Sequence, residues 1–113
     1  MSEFDNLIAK YTADLKEKCG IDADAALLTK IAKGLGPSIY NDDSSTVSSS
    51  DETELDRVRN NFLIKKLGLS AGADLEAGLT AAIEAYGRSN RNKYRVVLYY
   101  LLVKHFGKEA VYA

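Results

Sequence analysis

Residues 96–103 read Val-Val-Leu-Tyr-Tyr-Leu-Leu-Val, eight near-apolar positions without a break. On a helix, such a run covers every direction around the axis, so the segment must be enclosed on all sides. The same residue types suit a strand. Helix-stop residues on either side, the length of the segment and the absence of a companion strand favour the helix. Eight residues cannot cross a bilayer, which needs about 20. The chain must therefore build a protein shell around this segment.

The shell is legible as amphipathic helices. Phe4, Leu7, Ile8, Tyr11 and Leu15 recur at steps of three and four, which places a first helix at about 3–18, stopped by Gly20. Asp22 suits the N-cap of a second helix carrying Leu27, Leu28, Ile31 and Leu35, ended by Gly34, Gly36 and Pro37. Residues 37–49 are rich in Ser and Asp and read as a loop, with Ile39 and Tyr40 pinning it to the core. Ser49 and Glu52 form a capping box for a third helix with Leu55, Val58, Phe62 and Leu63 inward. Gly68 suits its C-terminal turn, with Leu69 reaching back to Ile64. Asp74 caps a fourth helix with Leu75, Leu79, Ile83 and Tyr86 inward, stopped at Gly87. Ser89 opens the fifth, which runs to Phe106 with Gly107 as terminator.

The expected fold is all-α: one domain over residues 1–113, about five helices in an orthogonal array around a buried C-terminal helix. A chain of 113 residues has room for one core of that kind. The loop at 37–49 is too long for a plain up-and-down bundle. The N-terminus lacks a basic stretch followed by an apolar run and reads as no secretory signal. A single Cys excludes a disulfide framework and fits a cytoplasmic setting.

Three stretches, YTADLKEKCG, NNFLIKKLGL and YGRSNRNKYRVVLYYLLVKHFGKEAVY, together resemble a family of small bacterial proteins classed as domain of unknown function 2853. The resemblance spans nearly the whole chain. It implies a small all-helical bacterial protein and supplies no activity, cofactor or catalytic residue.

The chemistry-bearing residues are few. Cys19 stands at the C-terminal end of the first helix, where the dipole disfavours a thiolate, and is expected as a buried structural thiol. His105, the one imidazole, sits near a helix end and suits capping or packing. With these as the only soft groups, no nucleophile–base pair can be drawn, and a non-enzymatic protein is expected, with no catalytic residue and no cofactor. Asn41-Asp42-Asp43-Ser44-Ser45 lacks EF-hand spacing, and Gly34-Leu35-Gly36-Pro37 follows a helix rather than a strand. Neither supports a metal or phosphate site.

The net charge of −1 conceals a division. Residues 1–56 carry five lysines against twelve acids, a net −7, and residues 57–113 carry ten cations against four acids, a net +6. Four of those cations, Arg88, Arg91, Lys93 and Arg95, gather at the expected start of the fifth helix with Ser89, Asn90 and Asn92, flanked by Tyr86 and Tyr94. A helix start with free N–H groups and arginines can hold an anion. Tyr86 and Tyr94 can floor such a site or stack on bases. The competing reading is that the acidic half neutralises this corner, within one chain or across a homodimer. Two functions follow. The leading one is a cytoplasmic interaction or structural module, associating through the third helix or the tail at 108–112, which otherwise packs back on the first helix. The alternative is a module binding an acidic partner or phosphate-bearing ligand. Near-neutral total charge disfavours nucleic acid.

Overall fold

Every residue from Val96 to Val103 is buried in the computed structural model, at no more than 6% exposure. The structure describes residues 3–41, 45–48, 51–87 and 93–112, without the side chain of Ser38. The helix that carries the run, α5 (Arg95–Phe106), is enclosed by α4 (Ala73–Tyr86), α2 (Ala25–Leu35) and α1 (Glu3–Cys19). The short α3 (Glu52–Arg57) continues without interruption into a π-helical segment at Val58–Ile64. There Phe62 stacks on Tyr99 of α5, with ring centroids 3.7 Å apart. The fold is all-α. Among the described residues there is no strand, and no helix is long and apolar enough to cross a membrane.

The helix faces follow the expected stripes: Tyr11 and Leu15 of α1, Leu27, Leu28 and Ile31 of α2, and Leu75, Leu79, Ile83 and Tyr86 of α4 are all buried. The ends differ. Asp24, not Asp22, caps α2, accepting from the N–H groups of Ala26 and Leu27 at 3.1 and 3.3 Å. Its own N–H donates to the Tyr100 hydroxyl on α5 at 2.8 Å, a tertiary bond that selects the position. Asp22 instead pairs with Lys16 on the surface. Asp51 caps α3 through the Thr53 N–H; Ser49, expected in that role, lies outside the described residues. Gly72 precedes α4, so Asp74 falls within the first turn, beside the positive end of the dipole.

The widened turn at Val58–Ile64 has a packing reason. Val58, Phe62, Leu63 and Leu67 are all buried. At about 100° per residue, an α-helix would turn Val58 and Leu67 to opposite sides. The wider i→i+5 geometry, seen in Lys65 N–H to Asn60 C=O at 3.2 Å and Leu67 N–H to Phe62 C=O at 2.9 Å, brings them to one face. At its end the Gly68 N–H bonds the Ile64 carbonyl at 3.1 Å and the Leu69 N–H reaches back to the Leu63 carbonyl at 3.0 Å, a left-handed stop closed by two bonds.

Helix five begins six residues later than Ser89. Tyr94 is extended and bridges Thr46: Val47 N–H bonds the Lys93 carbonyl and Arg95 N–H the Ser45 carbonyl, each at 2.8 Å. These tertiary bonds take the backbone groups that an earlier helix start would use. The segment at 37–49 is likewise more ordered than a plain loop. Gly36–Tyr40 forms a 3-10 turn and Val47 is buried; Ile39 is buried as expected, whereas Tyr40 is 45% exposed. The tail Glu109–Tyr112 turns back on α2 rather than α1, and Tyr112 lies against Gly34 with the Lys66 ammonium 5.1 Å from its ring centre.

Candidate functional site

The basic corner is assembled where α4 ends, α5 begins and α1 passes behind them. Tyr86, in the last turn of α4, is 1% exposed. Its hydroxyl donates to the Asp14 carboxylate of α1 and accepts the Tyr94 N–H at 3.0 Å. Burial, reinforced by Asp14, holds the phenol far above its ordinary range. Tyr86 is thus a structural tie among three segments rather than an open stacking platform. Tyr94 is half-buried and meets Tyr11 edge-on, with centroids 5.4 Å apart. The Lys10 ammonium lies 5.1 Å from the Tyr94 ring centre.

Lys93 and Arg95 do not stand in solvent. Lys93 is 2% exposed. Arg95 forms an ion pair through Nη2 with Glu54 of α3, reaches the Thr46 carbonyl at 3.4 Å, and donates from Nη1 to the Tyr99 hydroxyl at 3.2 Å. Burial alone would lower the affinity of this guanidinium for its proton. The Tyr99 hydroxyl and the Glu54 carboxylate outweigh it and raise the value. Arg95 therefore joins the acidic half of the chain to the basic half. Arg59 does the same on the surface, pairing with Glu52 and Asp56 of its own helix and Glu76 of α4. Arg88, Ser89, Asn90, Arg91 and Asn92 lie outside the described residues.

Behind Tyr94 lies a cavity of about 400 Å³ that sequence reasoning missed. Glu3, Leu7, Lys10 and Tyr11 line it from α1, Ile39, Tyr40, Ser45 and Thr46 from the connecting segment, and Tyr94 from the corner itself. The Tyr11 hydroxyl is fully buried and has no hydrogen-bond partner among the described residues. Burial, with smaller contributions from Tyr94 and Tyr40, pushes its phenol up to about 12. The one sequence signal for this site is a tyrosine on a core-facing stripe, because its hydroxyl needs a partner that an apolar core lacks.

The two soft groups serve neither location. Cys19 is half-buried rather than fully buried, and burial, then Asp14, raises its thiol. It influences the Tyr86 phenol at the end of α4. His105 is exposed, with its ring edge-on to Phe106, and it faces Gly78. Among the described residues, no group of three or more His, Cys, Asp or Glu is placed to hold a metal ion. The Asn41–Ser45 oxygens include Asp42, Asp43 and Ser44, outside those residues.

A family model described as "Protein of unknown function (DUF2853)" matches residues 10–110. None of the curated proteins compared matches the chain.

Proposed function

The chain belongs to the DUF2853 family, whose function is unknown, and from the geometry we propose that it is a non-enzymatic cytoplasmic interaction module. The observation that carries this reading is the use of its reactive and charged side chains. Arg95 is tied to Glu54 and Tyr86 to Asp14. Such a body works by offering a rigid surface, and a second copy of the chain is the first partner to examine. Sedimentation equilibrium over a wide concentration range is expected to show reversible self-association; a strictly monomeric mass throughout removes that partner. In cells lacking the protein, the Cys19→Ser, His105→Gln double variant is expected to restore whatever the wild type restores. Loss of rescue by a folded double variant overturns the non-enzymatic reading.

A second reading is an anion site using Arg88, Ser89, Asn90 and Arg91 beside Lys93, Tyr94 and Arg95. The approach of Lys10 from α1 to the Tyr94 ring supports it, because it adds a cation to the corner from a distant part of the sequence. Retardation of mixed RNA and DNA at low salt, falling steeply as salt rises, is the nucleic-acid signature. Its absence ends that version. Unchanged anion binding by Arg91→Ala with Lys93→Ala ends the site.

A further inference from the structure

The cavity behind Tyr94 combines four properties. Its volume, about 400 Å³, lies in the range of small-molecule pockets. It has a buried donor without an acceptor among the described residues, the Tyr11 hydroxyl. Such a group is disfavoured relative to a satisfied one, a deficit that an arriving acceptor removes. It has a cationic wall at Lys10, held over the Tyr94 ring. It has an apolar side formed by Leu7 and Ile39.

We infer that this cavity is a binding site for a small organic carboxylate, whose oxygen accepts from the Tyr11 hydroxyl and whose apolar body lies against Leu7, Ile39 and Tyr94. The donor set selects the ligand's charge. A phenol that stays protonated through the physiological range offers a proton and no charge of its own, and an ammonium offers donors only. Ser45 and Thr46 can donate as well. Among the described residues the one acidic wall residue, Glu3, precedes Lys10 by seven residues, about 10 Å along α1, and so belongs to the other end of the cavity. The Tyr11 oxygen is covered in this structure, so the ligand reaches it as a neighbouring wall residue turns aside. Tyr40, which also lines the cavity, is 45% exposed. This inference goes beyond the interaction reading, and its test does not depend on self-association.

The probe is benzoate, compared with benzyl alcohol, which has a similar body without the charge, and with inorganic phosphate, which has charge without the body. In the full-length protein, benzoate is expected to shift the backbone amide signals of residues 7–11, 45–46 and 94 saturably, with benzyl alcohol and phosphate each at least about tenfold weaker. Tyr11→Phe keeps the ring and removes the orphaned donor. It is expected to melt no lower than the wild type while binding benzoate about tenfold more weakly. Lys10→Gln provides the same reading from an exposed position. The inference is overturned if none of the three probes binds saturably, leaving a solvent-filled pit only. Equal binding of benzoate and benzyl alcohol, equal binding of benzoate and phosphate, or undiminished binding by both variants overturns it too.

Discussion

Arg95 in the first turn of α5 forms an ion pair with Glu54 of α3, across 41 residues, with both side chains largely shielded from solvent at 12% and 13% exposure. The first turn of a helix is where the dipole disfavours a cation. The carboxylate, the Tyr99 hydroxyl and the Thr46 carbonyl together offset that penalty. The pair fixes the start of the central helix against α3.

Removing one member leaves the other partly buried without its partner. Glu54→Gln is therefore expected to destabilise the fold by about 2 kcal/mol, read from denaturant unfolding. Arg95→Lys is expected to lose a similar amount, because an ammonium cannot reach Glu54, Tyr99 and Thr46 at once. Added salt should change the loss little, since a shielded pair is screened less than a surface one. A salt-sensitive loss of a few tenths of a kcal/mol would show instead that the pair behaves as a surface contact.

The buried phenols predict an alkaline limit. Tyr11 and Tyr112 are each raised from 10.0 to about 12, and Tyr86 is raised further, by burial first in every case. A group whose value is higher in the folded state binds its proton more tightly there. Its stabilisation is complete below the unfolded value and is lost as pH rises through the folded one. Stability should thus be level up to about pH 9 and fall steadily between about pH 10 and pH 12. Unfolding midpoints across that window check the direction. Tyr11→Phe should make the fall shallower, and an unchanged slope would contradict the burial of that phenol.

Gly78 marks the closest approach of α4 to the end of α5. A methyl group there would overlap the Phe106 ring and crowd the His105 imidazole. Alanine would favour the helix by about 1 kcal/mol on propensity alone. Overpacking of about 1–3 kcal/mol opposes this. Gly78→Ala is expected to lower stability by up to about 2 kcal/mol net, with coupling to Phe106→Leu in a double-mutant cycle. A stabilised Gly78→Ala protein would mean that the ring yields freely.

Tyr112 closes the groove between α2 and the π-helical segment, beside the stacked pair Phe62 and Tyr99. Tyr112→Ala is expected to destabilise by about 1–2 kcal/mol and to raise amide exchange around Gly34 and Lys66. Lys66→Met should cost less than half of that, because it keeps the packing of the stem and removes only the attraction of its ammonium to the ring. Exchange confined to the tail itself would show that the tail does not brace α2.

Much of this architecture can be read in the residues. The run Val96–Val103 required a buried central helix, because a segment apolar on every side has no solvent-facing option. The stripes on the other helices named their inner faces, and glycines 20, 68, 87 and 107 marked where helices stop, all four with positive φ. Those signals are local: they depend on spacing along one segment and on the conformational range of one residue type. The candidate corner was legible only as a cluster of charge. That Arg95 meets Glu54, that Lys93 is buried and that Tyr86 bonds Asp14 depend on which segments pass each other in space.

Residue order along each segment is enough to set the helical class, the central element and the inward faces, because periodicity and composition act within a turn or two. Tertiary structure alone decided the exact ends and the site. Ser45 and Val47 hold Tyr94 extended between them, so the last helix begins at Arg95; the Tyr100 hydroxyl draws the α2 cap to Asp24; and the core demands a widened turn at Val58–Ile64. The cavity at Tyr11 belongs to the same category. It exists because a tyrosine placed on a core stripe by the helical repeat found, in three dimensions, an aromatic neighbour and no acceptor among the described residues. Hydrogen bonds and ion pairs between distant segments override local preference when the partner is near, and where a partner is present is information that only the folded chain contains.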